Sequence, residues 1–208
     1  YTRLLGAGTV AEGEPVNFVV PTGNFGNILA AFYAKNMGIP VGKLICASNE
    51  NKVLYDFFDT GVYDRNREFV LTSSPSMDIL ISSNLERLLY LSCGRDAAKT
   101  KAMMEQLSPN GKYEITADMK EFMKDFAAGY ADMEENAKEI RKVFDDTGYL
   151  IDTHTGVAAA VYEQYKAKTG DTTKTVIAST ASPYKFSHSV MAAVTGKEAD
   201  TDEFASID

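Results

Sequence analysis

The residues whose types and spacing carry the most chemistry are Gly23-Asn24-Phe25-Gly26-Asn27, set between a β-like run and an amphipathic helical run. Val16-Asn17-Phe18-Val19-Val20 is rich in β-branched and aromatic residues and stops at Pro21, which predicts a short buried strand. Ile28, Leu29, Phe32, Tyr33 and Met37 then fall at helical spacing, and Gly38 and Pro40 end the helix. A glycine-flanked turn feeding a helix start is a ready anion cradle. Backbone N–H groups converge there without intrahelical acceptors, the helix dipole adds partial positive charge, and small residues let a phosphate come close. The competing reading is a plain strand-to-helix turn with Asn27 as N-cap. Asn24 and Asn27 place hydrogen-bonding side chains on both sides, and Phe25 stands where turn chemistry favours a polar residue.

A second group is Ser83, Asn84 and Arg87. Residues 79–91 have helical periodicity, which sets Asn84 and Arg87 on one face. A guanidinium matches phosphate or carboxylate bidentately. The alternative is a helix surface merely solvated by Glu86 and Arg87. His154, in Asp152-Thr153-His154-Thr155, either donates to a ligand or caps the helix that follows.

The elements that must position these groups alternate between strand and helix. Lys43-Leu44-Ile45-Cys46-Ala47 is a second strand, ending in the polar cluster Ser48-Asn49-Glu50-Asn51. A short helix over 53–58 closes at Gly61, and Phe69-Val70-Leu71 reads as a third strand. Residues 95–145 read as a charged, Met-rich helical insertion, with Met119, Phe122, Met123 and Phe126 on an apolar helix face and methionine as core filler. A helix over 157–168 stops at Gly170, and Thr175-Val176-Ile177-Ala178 is a strand. The turn Ser179-Thr180-Ala181-Ser182-Pro183-Tyr184-Lys185-Phe186 leads to a last helix over 187–194. Residues 197–208 form an acidic tail expected to be poorly ordered, and 1–8 read as the tail of a helix, so that the chain reads as a fragment. Such alternation implies an α/β fold, a three-layer parallel sheet with helices on both faces, whose ligands bind beyond the C-terminal strand ends. The glycine loop and the turn after Ala178 both occupy that position.

Composition narrows the function classes. With 208 residues, 45% of them hydrophobic, the chain can bury one good core or two small ones. Asp and Glu number 29 against 21 Lys and Arg, a net charge of -8, which argues against a nucleic-acid binder. Any bound phosphate is therefore held by local geometry. Cys46 and Cys93 form no disulfide framework or metal-ligand spacing, so no metal is expected and the cytoplasm is the expected compartment. No apolar run is long enough to span a membrane.

Taken together, four stretches resemble threonine synthase, one of the pyridoxal-phosphate enzymes with the tryptophan-synthase-β-like fold. They are Pro21-Thr22-Gly23-Asn24-Phe25-Gly26-Asn27-Ile28-Leu29-Ala30, Met77-Asp78-Ile79-Leu80-Ile81-Ser82-Ser83-Asn84-Leu85-Glu86-Arg87, Asp152-Thr153-His154-Thr155 and Thr180-Ala181-Ser182-Pro183-Tyr184-Lys185-Phe186. The resemblance implies that residues 1–196 form most of the large cofactor domain of a fold-type-II pyridoxal-phosphate enzyme. It implies that Gly23, Asn24, Phe25, Gly26 and Asn27 hold the cofactor phosphate and that the Thr180 hydroxyl meets the pyridine nitrogen. The Schiff-base lysine is expected upstream of residue 1, which leaves no catalytic residue here. Ser83, Asn84, Arg87, His154 and Lys185 are the expected substrate-side groups, although Lys185 also reads as a solvated lysine and His154 as a structural one. Two departures stand out. Asn27 takes a position where the family often has Asp, and Ser182 one where it usually has His, so substrate contacts at the late turn lack that positive charge.

The implied activity is conversion of O-phospho-L-homoserine and water to L-threonine and phosphate by the parent enzyme, with this fragment inactive alone. The alternatives are a sister lyase of the threonine dehydratase or cysteine synthase type, and an inactive homologue that binds a phosphorylated metabolite. No nucleic-acid or membrane partner is expected; an oligomer is compatible with the sequence.

Overall fold

A computed structural model of the chain describes residues 1–197, so the acidic tail lies outside the described residues apart from Lys197. After a short helix α1 (Thr2–Gly6), β1 (Val16–Pro21) leads through the glycine loop into α2 (Gly26–Asn36). Then come β2 (Val41–Ser48), α3 (Val53–Thr60) and β3 (Val62–Asp64). The next elements are α4 (Leu85–Ser92), α5 (Ala97–Asn110), β4 (Lys112–Glu114) and α6 (Ala117–Phe122). The remainder is β5 (Phe126–Tyr130), α7 (Met133–Thr147), α8 (Thr153–Thr169), β6 (Thr175–Ile177) and α9 (Ser187–Thr195).

The main sheet has the order β5-β2-β1-β6, with every neighbouring pair parallel. Alternate side chains feed opposite layers, as the two-residue period of a strand requires. Val20, Leu44, Cys46 and Phe126 face a core built with α2, α3, α4 and α6. Val19, Ile45 and Ala47 face Val157, Ala158, Ala160 and Val161 of α8. A third cluster, Ile140, Ile151, Ala159 and Val190, fastens α7 and α9 onto the outer side of α8. The expected α/β sheet with helices on both faces is thus present.

Three local expectations are corrected. Residues 95–145 are not a purely helical insertion, because β5 lies inside them and pairs with β2 through Leu44↔Phe126 to Ser48↔Tyr130. Phe126 is therefore a strand residue, stacked on Phe58 at 5.2 Å, whereas Met119 and Phe122 do lie on a helix. Residues 69–71 form no strand. The Asn51 side chain supplies both the donor and the acceptor that a neighbouring strand would, bonding Val70 O at 2.8 Å and Val70 N–H at 3.0 Å. The 79–91 helix starts only at Leu85, after an irregular stretch. A small antiparallel pair, β3 with β4, was not foreseen; it stacks Tyr63 on Tyr113 at 5.1 Å.

Candidate anion cradle at the switch point of the sheet

Strand β1 has β2 on one side and β6 on the other, so the chain order switches at its carboxyl end. That is where open parallel sheets leave a crevice for ligands. The glycine loop leaves β1 there, and the turn 179–186 leaves β6 beside it, with Ala178 N–H still bonded to Val19 O at 2.9 Å.

The loop is pinned by backbone bonds and by packing of its buried residues. Thr22 N–H bonds Ala47 O at 2.8 Å, and its hydroxyl donates to Val20 O at 2.6 Å. The Phe25 side chain is fully buried against Phe58 and Phe126, which gives its mid-turn position a packing reason and anchors the loop by about 2–3 kcal/mol of apolar burial. Phe25, not Asn27, is the N-cap of α2, and no side chain caps the helix. Among the described residues, the backbone amides of Gly23, Asn24, Phe25 and Gly26 meet no acceptor. Four unpaired N–H groups at an uncapped helix start make this loop a candidate anion site. The Asn24 and Asn27 side chains are exposed beside it.

Of the two loop glycines, Gly23 has a spatial reason and Gly26 has room for a side chain. A Cβ on Gly23 would come within 2.8 Å of Met77 Cα and 3.2 Å of Ser76 O. The 3₁₀ turn Pro75–Met77 therefore lies directly on the loop. A Cβ on Gly26 would meet only Asn84 Nδ2, at 3.5 Å. Asn84 is thus beside the cradle, at the N-cap of α4 rather than inside a helix. Ser83 is exposed next to it, with Oγ 3.4 Å from Asn84 Oδ1. Arg87 is exposed one turn along α4 and makes no ion pair with the other described residues.

Of the two readings of His154, ligand donor or structural residue, its placement is structural, with the helix cap supplied by Asp152 instead. It lies in the first turn of α8, whose cap is Asp152, and it is buried. Nε2 accepts the Ser76 N–H at 3.2 Å, and Nδ1 lies 3.2 Å from Asp152 Oδ1. The ring's proton therefore sits on Nδ1, shared with Asp152, and both nitrogens are engaged within the protein. Burial works to raise the Asp152 pKa, but hydrogen bonds from the side chains and backbones of His154 and Thr155 outweigh it, so the carboxyl stays below its ordinary range. Thr155 Oγ1 also reaches Ser179 Oγ at 3.3 Å, and the His154 ring packs on Phe186 at 4.7 Å. The α8 start thereby links the late turn to the turn under the glycine loop. Thr180 and Lys185 are exposed on that late turn, with Lys185 Nζ 5.5 Å from the Phe186 ring.

Sequence reasoning missed a buried polar cluster beside the loop. Asp78 Oδ1 accepts from Asn49 Nδ2 at 2.7 Å, Asn51 Nδ2 at 3.2 Å and Thr72 Oγ1 at 2.7 Å, while Oδ2 accepts Thr72 N–H at 2.8 Å. This cluster ties the loop after β2 to residues 72–78. The run of small polar residues at 48–51 was the available signal. Lys52, which follows it, has φ of +39°, and its Nζ lies over the Tyr130 ring at 4.4 Å. Among the described residues no His/Cys/Asp/Glu group suits a metal, and no helix is long and apolar enough to cross a membrane.

The fold defines a doubly wound α/β domain with a candidate anion site at its switch point. Residues 155–208 match a family profile described as threonine synthase, C-terminal. The chain is 42% identical over 200 residues to human threonine synthase-like 1, covering 95% of this chain and 26% of that protein. It is 39% identical over 200 residues to the threonine synthase of Saccharomyces cerevisiae, covering 89% of this chain and 39% of that protein. Among solved structures, pyridoxal-phosphate-bound threonine synthase from Brucella melitensis superposes with a TM-score of 0.85 at 38% identity, covering 99% of this chain and 43% of that one. Yeast threonine synthase gives the same TM-score at 32% identity, covering 99% of this chain and 45% of that one. Over nearly its whole length the chain is similar to threonine synthases and threonine synthase-like proteins, and it spans between about a quarter and two fifths of the length of these curated relatives.

Proposed function

We propose that the chain is the cofactor-phosphate half of a threonine synthase, whose whole protein converts O-phospho-L-homoserine and water to L-threonine and phosphate. The observation that carries this reading is the uncapped start of α2, with four unpaired amides at the switch point of the sheet. Pyridoxal phosphate, when bound, supplies the electron sink that lets the substrate lose its phosphate. The amides of the 23–27 loop bind the cofactor phosphate. The Thr180 hydroxyl, on the turn after β6, would offer the cofactor ring nitrogen a neutral hydrogen-bonding group. Arg87, Ser83, Asn84 and Lys185 are the substrate-side groups, and the two cations receive anionic ends of the substrate. His154, engaged at both nitrogens, holds the two ligand loops together and does not contact substrate. The Schiff-base lysine comes from the part of the protein outside this chain, and residues 1–196 form most of the large domain.

The test is to supply the whole protein with pyridoxal phosphate and O-phospho-L-homoserine and to follow phosphate and threonine together. Equal amounts of both support the reading. Phosphate without threonine would indicate a sister lyase, and no turnover would indicate a homologue that only binds a phosphorylated metabolite.

A further inference from the structure

Ser82 is buried and bonded to the glycine loop itself. Its Oγ donates to Gly23 O at 2.8 Å across 59 residues of chain. Its backbone N–H donates to Tyr63 Oη at 2.7 Å, and the Tyr63 hydroxyl donates to Leu80 O at 3.0 Å. Tyr63 is itself fully buried, with its ring stacked on Tyr113. Ser82 is thus held by a buried, hydrogen-bonded phenol.

The peptide between Gly23 and Asn24 is trans, and a peptide unit is planar by its partial double bond. In such a unit the carbonyl and the following N–H point in opposite directions. Anchoring the Gly23 carbonyl inward on Ser82 turns the Asn24 N–H the other way, and that N–H meets no acceptor among the described residues. We propose that Ser82, fixed by Tyr63, is a positioning residue that aims the Asn24 N–H into the phosphate cradle. The inference rests on the reading of the loop as a phosphate site. Without the serine hydroxyl, a glycine peptide is free to rotate, because Gly23 has no side chain to restrict it. The preorganised donor would then have to be oriented during binding.

The experiment measures binding of pyridoxal phosphate and of phosphate-free pyridoxal to the whole protein, for the wild type, Ser82→Ala, Ser82→Cys and Tyr63→Phe. Ser82→Ala is expected to weaken pyridoxal phosphate about ten- to a hundredfold, the range for one hydrogen bond to a charged group, and to leave pyridoxal unchanged. The bound phosphate's phosphorus NMR resonance should shift with it. Ser82→Cys, a weaker donor of similar shape, and Tyr63→Phe should show smaller losses with the same selectivity, and they decide the matter if Ser82→Ala does not fold. Equal losses for both ligands, or none, would overturn the positioning role. A wild type that does not prefer pyridoxal phosphate over pyridoxal would overturn the phosphate reading of the loop itself.

Discussion

Replacing Gly23 by alanine tests the contact on which the site is built. The added Cβ would stand 2.8 Å from Met77 Cα and 3.2 Å from Ser76 O, both backbone atoms that no rotamer change can withdraw. Carbon atoms settle at about 3.5–4.0 Å, so the 3₁₀ turn Pro75–Met77 must retreat by roughly 0.7–1.2 Å. The Ser76 N–H to His154 Nε2 bond, already 3.2 Å, would then pass beyond hydrogen-bonding range. Overpacking costs about 1–3 kcal/mol, and the lost bond adds about 1 kcal/mol. The sum is about 2–4 kcal/mol. With a urea slope of about 2 kcal/mol/M, the midpoint of this domain should fall by about 1–2 M. Urea unfolding of Gly23→Ala against wild type is the assay. A midpoint change under about 0.2 M would refute the packing of the turn on the loop.

Three further outcomes follow from the same geometry. Gly26→Ala should change stability by no more than about 0.5 kcal/mol, since its Cβ meets only Asn84 Nδ2 at 3.5 Å and alanine favours the helix; urea unfolding checks it. Asp152→Ala should cost about 1–3 kcal/mol through the lost cap and the unpaired His154 and Thr155 donors. Because the folded Asp152 pKa is depressed, that contribution is full above the unfolded value of about 3.9 and is lost as pH falls through the lower folded value; the wild-type advantage in unfolding should therefore be flat from about pH 5 to 8 and shrink below about pH 4. Burial pushes the Cys46 thiol up to about 12, so a thiol reagent at pH 8 should label half-buried Cys93 in the native protein and reach Cys46 only after denaturation, as mass spectrometry of the two peptides would show.

The parts that were legible in the sequence are those fixed by local signals. β1, the glycine loop and α2 follow from a β-branched run, two glycines and a helical stripe, all within about twenty residues. The α3 stop at Gly61 and the α8 stop at Gly170 follow from the left-handed conformation that glycine accepts, with φ of +87° and +67°. What could not be read depends on distant partners. β5, with the sequence Phe-Ala-Ala-Gly-Tyr, has little strand propensity of its own and is a strand because it pairs with β2, some eighty residues earlier. Phe69-Val70-Leu71 has the propensity but not the partner, because the Asn51 amide occupies the Val70 backbone. In the site, the glycine loop announces itself by spacing. Ser82, Tyr63 and the Asn49–Asn51–Asp78 cluster do not, since their roles arise from bonds between segments that only the fold brings together.

The most direct test of the central claim, that the start of α2 holds the cofactor phosphate, is binding of pyridoxal phosphate to Gly26→Asp in the whole protein. An acidic residue at a helix start is stabilising by about 0.3–1 kcal/mol, and position 26 has room for a side chain, so the fold should be kept. The carboxylate would nevertheless face the phosphate at close range. Pyridoxal phosphate affinity should fall at least about a hundredfold while phosphate-free pyridoxal binds as to wild type. Unchanged affinity for pyridoxal phosphate in a folded Gly26→Asp protein would contradict it.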